Sequence, residues 1–123
     1  MVEKYLLQLG YRRWCGRNGD PDDPAHSFAR DVDYVSGACI VLPTALFREL
    51  GGFDGRYSPA YYEDTDLALA VKASGRRVIY QPRARVIHFE GISSGRDEES
   101  GAKRFQQRNQ QLFFRSEEHT SEL

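Results

Sequence analysis

The sequence lacks any long apolar run, has few cysteines and carries no excess of charge of either sign. Its longest apolar stretch, residues 38–42, is far too short to cross a bilayer. No charged start is followed by an apolar stretch, so we expect no signal peptide and no transmembrane segment. Cys15 and Cys39 form neither a C-x-x-C pair nor a disulfide framework, which predicts a reduced, cytoplasmic chain.

The balance of charges also excludes one class of partner. Lys and Arg number 17 and Asp and Glu number 18, which gives a formal net charge of -1 over 123 residues. A dedicated nucleic-acid-binding domain usually shows a basic stripe instead, so we expect no nucleic-acid partner. Hydrophobic residues at 40% and charged residues at 28% are typical of a single small globular domain.

Helical and strand patterns alternate along the chain, which predicts a mixed α/β domain. The predicted helices are a short one within Met1–Trp14, one from Thr44 to Leu50, one from Asp64 to Ser74 and one from Asp97 to Phe114. The predicted strands are Asp33–Leu42, Arg77–Gln81 and Arg85–Phe89, with an aromatic loop over Phe53–Tyr62 and a Gly/Ser loop over Glu90–Arg96. Gly51 and Gly75 are placed to end two of these helices. Helical spacing predicts buried stripes through Leu67, Ala70, Val71 and Ser74, and through Ala102, Phe105, Asn109, Leu112 and Phe113.

The last residues of the chain have a different character from the rest. Arg115–Leu123 has the sequence RSEEHTSEL, which resembles the in-frame translation of a common sequencing-library adapter. An ordinary polar tail after a helix is the alternative. We interpret the segment as an artefact and expect no chemistry from His119.

An acidic cluster at a predicted helix start is the strongest local feature. Glu63, Asp64 and Asp66 follow Tyr61 and Tyr62. Acidic residues in a first turn are typical of capping and of the helix dipole. The same carboxylates are also suited to take a proton from a hydroxyl beside an aromatic wall. Like charges raise a carboxyl pKa and a helix start lowers it, so the sequence leaves the balance open.

Glycine marks two further candidate positions. Leu50–Asp54 has the sequence LGGFD, which indicates either a helix stop followed by a buried Phe or a close approach by a ligand. Gly37, after Ser36, interrupts a strand pattern, where glycine usually marks a bulge or a close approach. Both positions fit a strand that passes beneath a ligand.

His88 is the candidate metal ligand. It lies in the segment VIHFEG at the end of a predicted strand. A lone histidine there is most often simply hydrogen-bonded, and a hard divalent ion needs carboxylate or phosphate partners as well.

In this order, the motifs resemble the C-terminal half of a family 2 glycosyltransferase with a GT-A fold. They are YVSGACIVLP (34–43), ELGGFDGRYSPAYYEDTDLALAVKASG (49–75), RVIYQPRARVIHFEGISSG (77–95) and AKRFQQRNQQLFF (102–114). The segments YSPAYYEDTDL and HFEG-x-S-x-G are similar to those of enzymes that extend bacterial surface polysaccharides, including rhamnose-containing ones. The resemblance implies a partial GT-A fold, Rossmann-like, with a mixed sheet, flanking helices and no N-terminal nucleotide-binding half. It divides the chain into an incomplete segment (1–32), a catalytic and acceptor half (33–114) and the artefact tail (115–123).

The resemblance also implies roles for single residues. Asp64 would be the catalytic base of an inverting transfer, with Glu63 and Asp66 orienting the base and the acceptor. His88 would help hold a divalent cation, Mg²⁺ or Mn²⁺, at the diphosphate leaving group. Donor contacts would come from Ser36 and Gly37, and acceptor contacts from Gly51, Gly52, Phe53, Asp54, Tyr61 and Tyr62. Residues 90–95 would form a mobile loop over the donor.

The sequence departs from the family by lacking the upstream Asp-x-Asp metal motif. The literal match at Asp20-Pro21-Asp22 is rejected, because it follows Gly19 instead of an apolar strand. Catalysis needs base, metal and donor positioned together, so we expect the chain to be a fragment that is inactive alone.

The partners implied are a nucleotide-sugar donor and a glycan or lipid-linked acceptor, in the cytoplasm or at the inner face of the membrane. A non-catalytic carbohydrate- or partner-binding module is the alternative, supported by the aromatic loop and the missing donor half. A metal hydrolase using His88, Glu90 and the acids at 63–66 ranks lower, since no second histidine follows at ligand spacing.

Overall fold

The computed structural model shows a small α/β arrangement in which helices pack beside short antiparallel strands. The backbone is described for residues 2–6, 11–15, 20, 22–25, 27–89 and 104–121, and side chains for residues 20, 22–25, 27–89 and 104–116. The elements are β1 (Val2–Leu6), β2 (Tyr11–Cys15), β3 (Arg30–Asp31), β4 (Tyr34–Val35), α1 (Thr44–Glu49), α2 (Glu63–Ala73), β5 (Ile79–Tyr80) and α3 (Gln106–Ser121).

The N-terminal segment is a β-hairpin, so the helix predicted within Met1–Trp14 is wrong. β1 pairs antiparallel with β2, in a register that sets Val2 opposite Cys15 and Leu6 opposite Tyr11. Two strand-length runs that contain the aromatic residues Tyr5, Tyr11 and Trp14, with a short gap between them, suit a hairpin. Pairing between the two runs therefore prevails over the short helix predicted from the apolar residues of this segment.

The sheets are small and antiparallel throughout the described residues, whereas a mixed sheet was predicted. β1 lies between β2 and β4, with Val2 opposite Val35 and Glu3 opposite Tyr34. β3 pairs with β5, and the backbone N–H of Val32 extends that pairing to the carbonyl of Val78 at 3.0 Å. Both pairings join residues on either side of the boundary predicted at residues 32 and 33.

Two of the predicted strands are shorter than expected or absent. The chain turns directly after β4, where the N–H of Ala38 donates to the Ser36 hydroxyl at 3.2 Å, so the strand predicted over Asp33–Leu42 keeps only Tyr34–Val35. Residues 85–89 follow a turn closed by the N–H of Ala84 on the Gln81 carbonyl. They form no strand with the described residues, contrary to prediction.

Glycines end the first two helices, as predicted. After α1 the backbone turns left-handed at Gly51, and the N–H of Gly52 returns to the carbonyl of Phe47 at 2.8 Å. After α2 the same geometry occurs at Gly75, with the N–H of Arg76 on the carbonyl of Val71. A left-handed residue followed by this long backbone bond is the Schellman ending that favours glycine.

The core lies between α2, α3 and the strand β4. Tyr34, Tyr57, Tyr62, Ala68 and Phe113 form one buried cluster. The stripe predicted on α2 is confirmed at Leu67 and Val71, but Ser74 is exposed and Ala68 is buried instead. On α3 the stripe is confirmed at Asn109 and Phe113, which are both fully buried, while Ala102 lies outside the described residues.

The last helix begins and ends later than predicted. The expected bounds were Asp97 and Phe114, whereas α3 spans Gln106–Ser121 and so continues into the segment interpreted as an artefact. A short 3₁₀ turn at residues 104–105 precedes it. The origin of residues 115–123 stays a prediction, because a polar segment that follows a helix can extend it whatever its source.

Candidate functional site

Asp64 lies in the first turn of α2 and contacts the turn that follows β4. Its Oδ2 accepts a hydrogen bond from the backbone N–H of Gly37 at 2.7 Å. Its Oδ1 accepts from the N–H of Thr65 at 2.8 Å and lies 3.3 Å from the Thr65 hydroxyl. Two backbone donors thus fix the carboxylate in one orientation, and a carboxylate has lone pairs left for a further proton or hydroxyl.

Gly37 leaves little space beside this carboxylate. A Cβ added at Gly37 would lie 3.3 Å from the Cβ of Asp64 and 3.4 Å from its Oδ2. The close approach that the sequence predicted at Gly37 is therefore made by Asp64 itself. The predicted donor-side and base residues meet in one place, at the turn after β4.

Glu63, the first residue of α2, is half-buried. Its Oε2 is buried and makes no hydrogen bond with the described residues. Burial raises the pKa of the Glu63 carboxyl above its ordinary value, and the neighbouring charge of Asp64 raises it further. The position at the helix start does not cancel these two effects. The sequence left open whether the pKa of this carboxyl is raised or lowered, and for Glu63 it is raised.

Asp66 and Asp54 link the acidic cluster to the LGGFD motif. Burial raises the pKa of Asp66, and the charge of Asp54 adds to that rise. Asp54 in turn accepts from the Arg56 guanidinium at 2.7 Å and from the Arg56 backbone N–H at 2.9 Å, and these bonds lower the pKa of Asp54. Two motifs that are separate in sequence therefore share one electrostatic environment.

The two tyrosines before α2 have an unusual backbone and different exposures. Tyr61 and Tyr62 both lie in the left-handed region, at φ 79° and 75°. The Tyr62 ring is buried 5.5 Å from the ring of Phe113, so it is part of the core. Tyr61 is half-buried. Of these two predicted acceptor contacts, only Tyr61 keeps an accessible side chain.

An open apolar groove lies beside the LGGFD motif. Phe53 is 48% exposed and packs edge-on against Phe47, with ring centroids 5.4 Å apart. These rings, with Ile40, Leu42 and Thr44, line a groove of about 270 Å³. The helix stop predicted at the glycines is thus confirmed, but the buried Phe that was to follow it is wrong.

His88 stands apart from the acids in the described structure. It is exposed, and the described residues contain no group of three or more His, Cys, Asp or Glu side chains able to hold a metal ion. Asp22 of the rejected Asp-x-Asp match is paired with Arg85. The described residues do not by themselves fit a divalent cation, and residues 90–95, the predicted mobile loop, lie outside them.

The sequence reasoning missed the contribution of Thr65. This residue is buried, and both its N–H and its hydroxyl face Asp64. Thr at the position after an acid in a first helical turn offers such a contact, but the pattern alone does not distinguish it from an ordinary helix residue.

Part of the chain is similar in sequence to known proteins, among them a glycosyltransferase. Over 68 residues, 55% of this chain, the sequence is 40% identical to an N-acetylglucosaminyl-diphospho-decaprenol L-rhamnosyltransferase of Mycobacterium tuberculosis. It is 38% identical over 63 residues to the O-antigen biosynthesis protein RfbC of Myxococcus xanthus, and 32% identical over 64 residues to the uncharacterized protein y4gI of Sinorhizobium fredii. Over about half its length, the chain is therefore similar to a glycosyltransferase.

The similarity covers a small part of each relative. The matched segment is 22% of the rhamnosyltransferase and 5% of RfbC, so the chain spans about a fifth or less of the curated relatives that it matches. No protein-family model matches the chain, and no solved structure does. Among the helices of the described part, none has both the length and the apolar character needed to cross a bilayer.

Proposed function

We propose that this chain is the acceptor and catalytic half of an inverting, family 2 glycosyltransferase with a GT-A fold. The observation that carries the proposal is the carboxylate of Asp64, fixed at the start of α2 by the N–H of Gly37. The similarity to a rhamnosyltransferase over half the chain supports it independently. The reacting groups would meet where the turn after β4 approaches the first turn of α2.

In this proposal Asp64 is the general base. It takes the proton of an acceptor hydroxyl as the hydroxyl oxygen attacks the anomeric carbon of a nucleotide-sugar. The bond from that carbon to the diphosphate breaks on the opposite face, so the configuration inverts and a nucleoside diphosphate leaves. The two backbone N–H donors on Asp64 hold it in the geometry for proton transfer.

We assign the acceptor to the LGGFD motif, to the groove beside it and to Tyr61. Phe53 lines that groove, Gly51, Gly52 and Asp54 are its neighbours in the sequence, and Asp66 shares the environment of Asp54. The rhamnosyltransferase relative is named for a substrate that is a sugar on a lipid diphosphate. We propose the same acceptor class, a polysaccharide or lipid-linked glycan, with the reaction taking place in the cytoplasm or at the inner face of the membrane.

We also propose that a divalent cation, Mg²⁺ or Mn²⁺, neutralises the diphosphate when it is bound. His88 would supply one ligand, and the Asp-x-Asp motif that this sequence lacks would supply the carboxylates. Removing divalent ions with a chelator should abolish transfer, and adding back either ion should restore it. Transfer that survives chelation would contradict this proposal.

The proposal is tested on the protein expressed from the complete gene, after the DNA on both sides of this sequence has been determined. An Asp-x-Asp motif after an apolar strand is expected upstream and in frame. The wild-type protein should transfer a labelled sugar from a nucleotide-sugar to a lipid-linked acceptor. Asp64→Asn should reduce kcat by about 10⁴-fold with donor binding unchanged, since it removes the base and keeps the size of the side chain.

An exposed acid outside the acidic cluster serves as the control. Glu49→Asn, at the end of α1, should leave kcat unchanged. Retained turnover in Asp64→Asn would rule out Asp64 as the base. Sugar binding by the wild-type chain without nucleotide, metal or turnover would favour the carbohydrate-binding alternative.

A further inference from the structure

Asn109 lies on the buried face of α3 and faces the segment that precedes the acidic cluster. Its side chain is fully buried. Its Nδ2 lies within 2.8 Å of the carbonyls of Tyr57 and Ala60 and within 3.0 Å of the carbonyl of Tyr61. An amide has two hydrogens to donate, so the three carbonyls share them and at least one hydrogen is bifurcated between two acceptors. Without it, these backbone acceptors would lose their donor in a buried place.

The neighbouring Arg108 continues the same contact towards the surface. Its guanidinium donates to the carbonyl of Ser58 at 2.7 Å and its Nε donates to Oδ1 of Asn109 at 3.1 Å. The guanidinium also lies 4.5 Å from the ring centroid of Phe105. Adjacent residues of α3 therefore hold the backbone of residues 57–61 through a continuous set of hydrogen bonds.

The segment held in this way has a conformation that needs support. Tyr61 and Tyr62 are both left-handed, which is unfavourable for bulky residues. Such residues persist where the surrounding structure over-determines them. α3 supplies this restraint, through Asn109 on the Tyr61 carbonyl and through Phe113 on the Tyr62 ring. The first residue after the restrained pair is Glu63.

We propose that Asn109 is a positioning residue for the acidic cluster. By fixing residues 57–61, it sets the point at which α2 begins and the direction in which Asp64 meets the turn at Gly37. Asn109 touches no reacting group, so its effect passes through the backbone. The expected effect on sugar transfer rests on the proposed function, whereas the effect on the environment of Glu63 does not.

The test compares Asn109→Leu with the wild type in the protein expressed from the complete gene. Leu has nearly the same shape and cannot donate a hydrogen bond. We expect kcat to fall about 100-fold with the KM for the donor within about threefold, because a misplaced base slows chemistry more than binding. Gln107→Leu, on the exposed side of the same helix, is the matched control and should leave kcat unchanged.

A second measurement separates positioning from a loss of stability. The Glu63 carboxyl is titrated by carbon NMR in the wild type and in both variants. In Asn109→Leu the midpoint should move down towards the ordinary glutamate value, since the released segment would let water reach Glu63. Leu46→Ala, a core change in α1, should lower the melting temperature without moving that midpoint.

The outcomes are distinct. If Asn109→Leu does not fold, Arg108→Gln replaces it, and kcat should then fall about tenfold. An unchanged kcat and an unchanged Glu63 midpoint in the folded variant overturn the proposal. If the wild type transfers no sugar but the midpoint moves as expected, the proposed function fails and the positioning role stands.

Discussion

The backbone N–H of Gly37 donates a 2.7 Å hydrogen bond to the carboxylate of Asp64, across 27 residues of sequence. This bond joins the turn after β4 to the first turn of α2. It unites the residue predicted to lie near the donor with the residue predicted to act as base. Much of the chemistry proposed for this protein depends on that one contact.

Gly37→Ala should misplace Asp64 without unfolding the protein. The added methyl group would lie 3.3 Å from the Cβ of Asp64, so the carboxylate would have to move by a few tenths of an ångström. We expect kcat for sugar transfer to fall about tenfold or more in the complete protein. The neighbouring Ala38→Ser, at an exposed position of the same turn, should keep wild-type kcat. Equal rates in the two variants would contradict the role of this contact.

Glu63→Gln should stabilise the protein at neutral pH and flatten one part of its pH dependence. Because burial raises the pKa of Glu63 in the folded state, the folded protein holds this proton at pH values where the unfolded chain has lost it. The free energy of unfolding therefore falls as the pH rises from 4.5, the ordinary glutamate value, through the raised folded value. Since Glu63 is only half-buried, the gain at pH 7 is less than about 1 kcal/mol.

Urea unfolding of the wild type and of Glu63→Gln, measured from pH 4 to pH 8, checks this prediction. The two curves should converge at the acidic end and separate as the pH rises. Glu49→Gln, an exposed acid at the end of α1, is the matched control. A wild-type protein whose stability rises steadily with pH over this range, in parallel with Glu63→Gln, would refute the prediction.

Gly51→Ala should destabilise the end of α1, whereas Gly55→Ala should not. Gly51 has φ 87°, where an added Cβ is strained although no atom lies within 4 Å of it. Gly55 has the same open space and no positive φ. We expect a loss of about 1 kcal/mol for Gly51→Ala and a neutral or slightly stabilising effect for Gly55→Ala. Thermal unfolding of both variants provides the measurement, and equal melting temperatures would be the contrary result.

The segment after β5 should make the 123-residue chain self-associate. Val86, Ile87 and Phe89 are 59%, 85% and 68% exposed, and contiguous exposed apolar side chains favour association. Ile87→Lys should shift the chain towards monomer in sedimentation velocity. Ala73→Lys adds the same charge at the end of α2 and should not. A wild-type chain that stays monomeric at every concentration would be the opposite result.

Local signals in the sequence were sufficient to predict the helices whose ends are marked by glycine or by acidic residues. Gly51 and Gly75 ended α1 and α2 where expected, because a left-handed C-terminal residue is a local requirement that glycine meets. The acidic residues likewise marked the start of α2. The hairpin at Val2–Cys15 was missed because the apolar residues of this segment were interpreted as a helix, and a single short run does not show that it will pair with the next one.

The site was predictable as a set of residues and not as a set of contacts. Sequence order indicated Asp64 and Gly37 separately, and the fold alone shows that they touch. The polar residue Asn109 fell on a predicted apolar stripe, where its pattern gave no hint of the carbonyls that it would meet. Contacts between residues 27 to 52 positions apart leave no local signature, since each partner is an ordinary residue in its own segment.

The bonds from Asn109 to the backbone of residues 57–61 also bear on how the protein is made. They connect residues 48 to 52 positions apart, so the acidic cluster is synthesised long before the residue that holds it in place. Chains emerge from the ribosome N-terminus first and fold in that order. Tyr61, Tyr62 and the acidic residues that follow them therefore lack the hydrogen bonds from Asn109 until α3 has left the exit tunnel. A helix translated after the acidic cluster thus provides the hydrogen bonds that hold the segment in front of it.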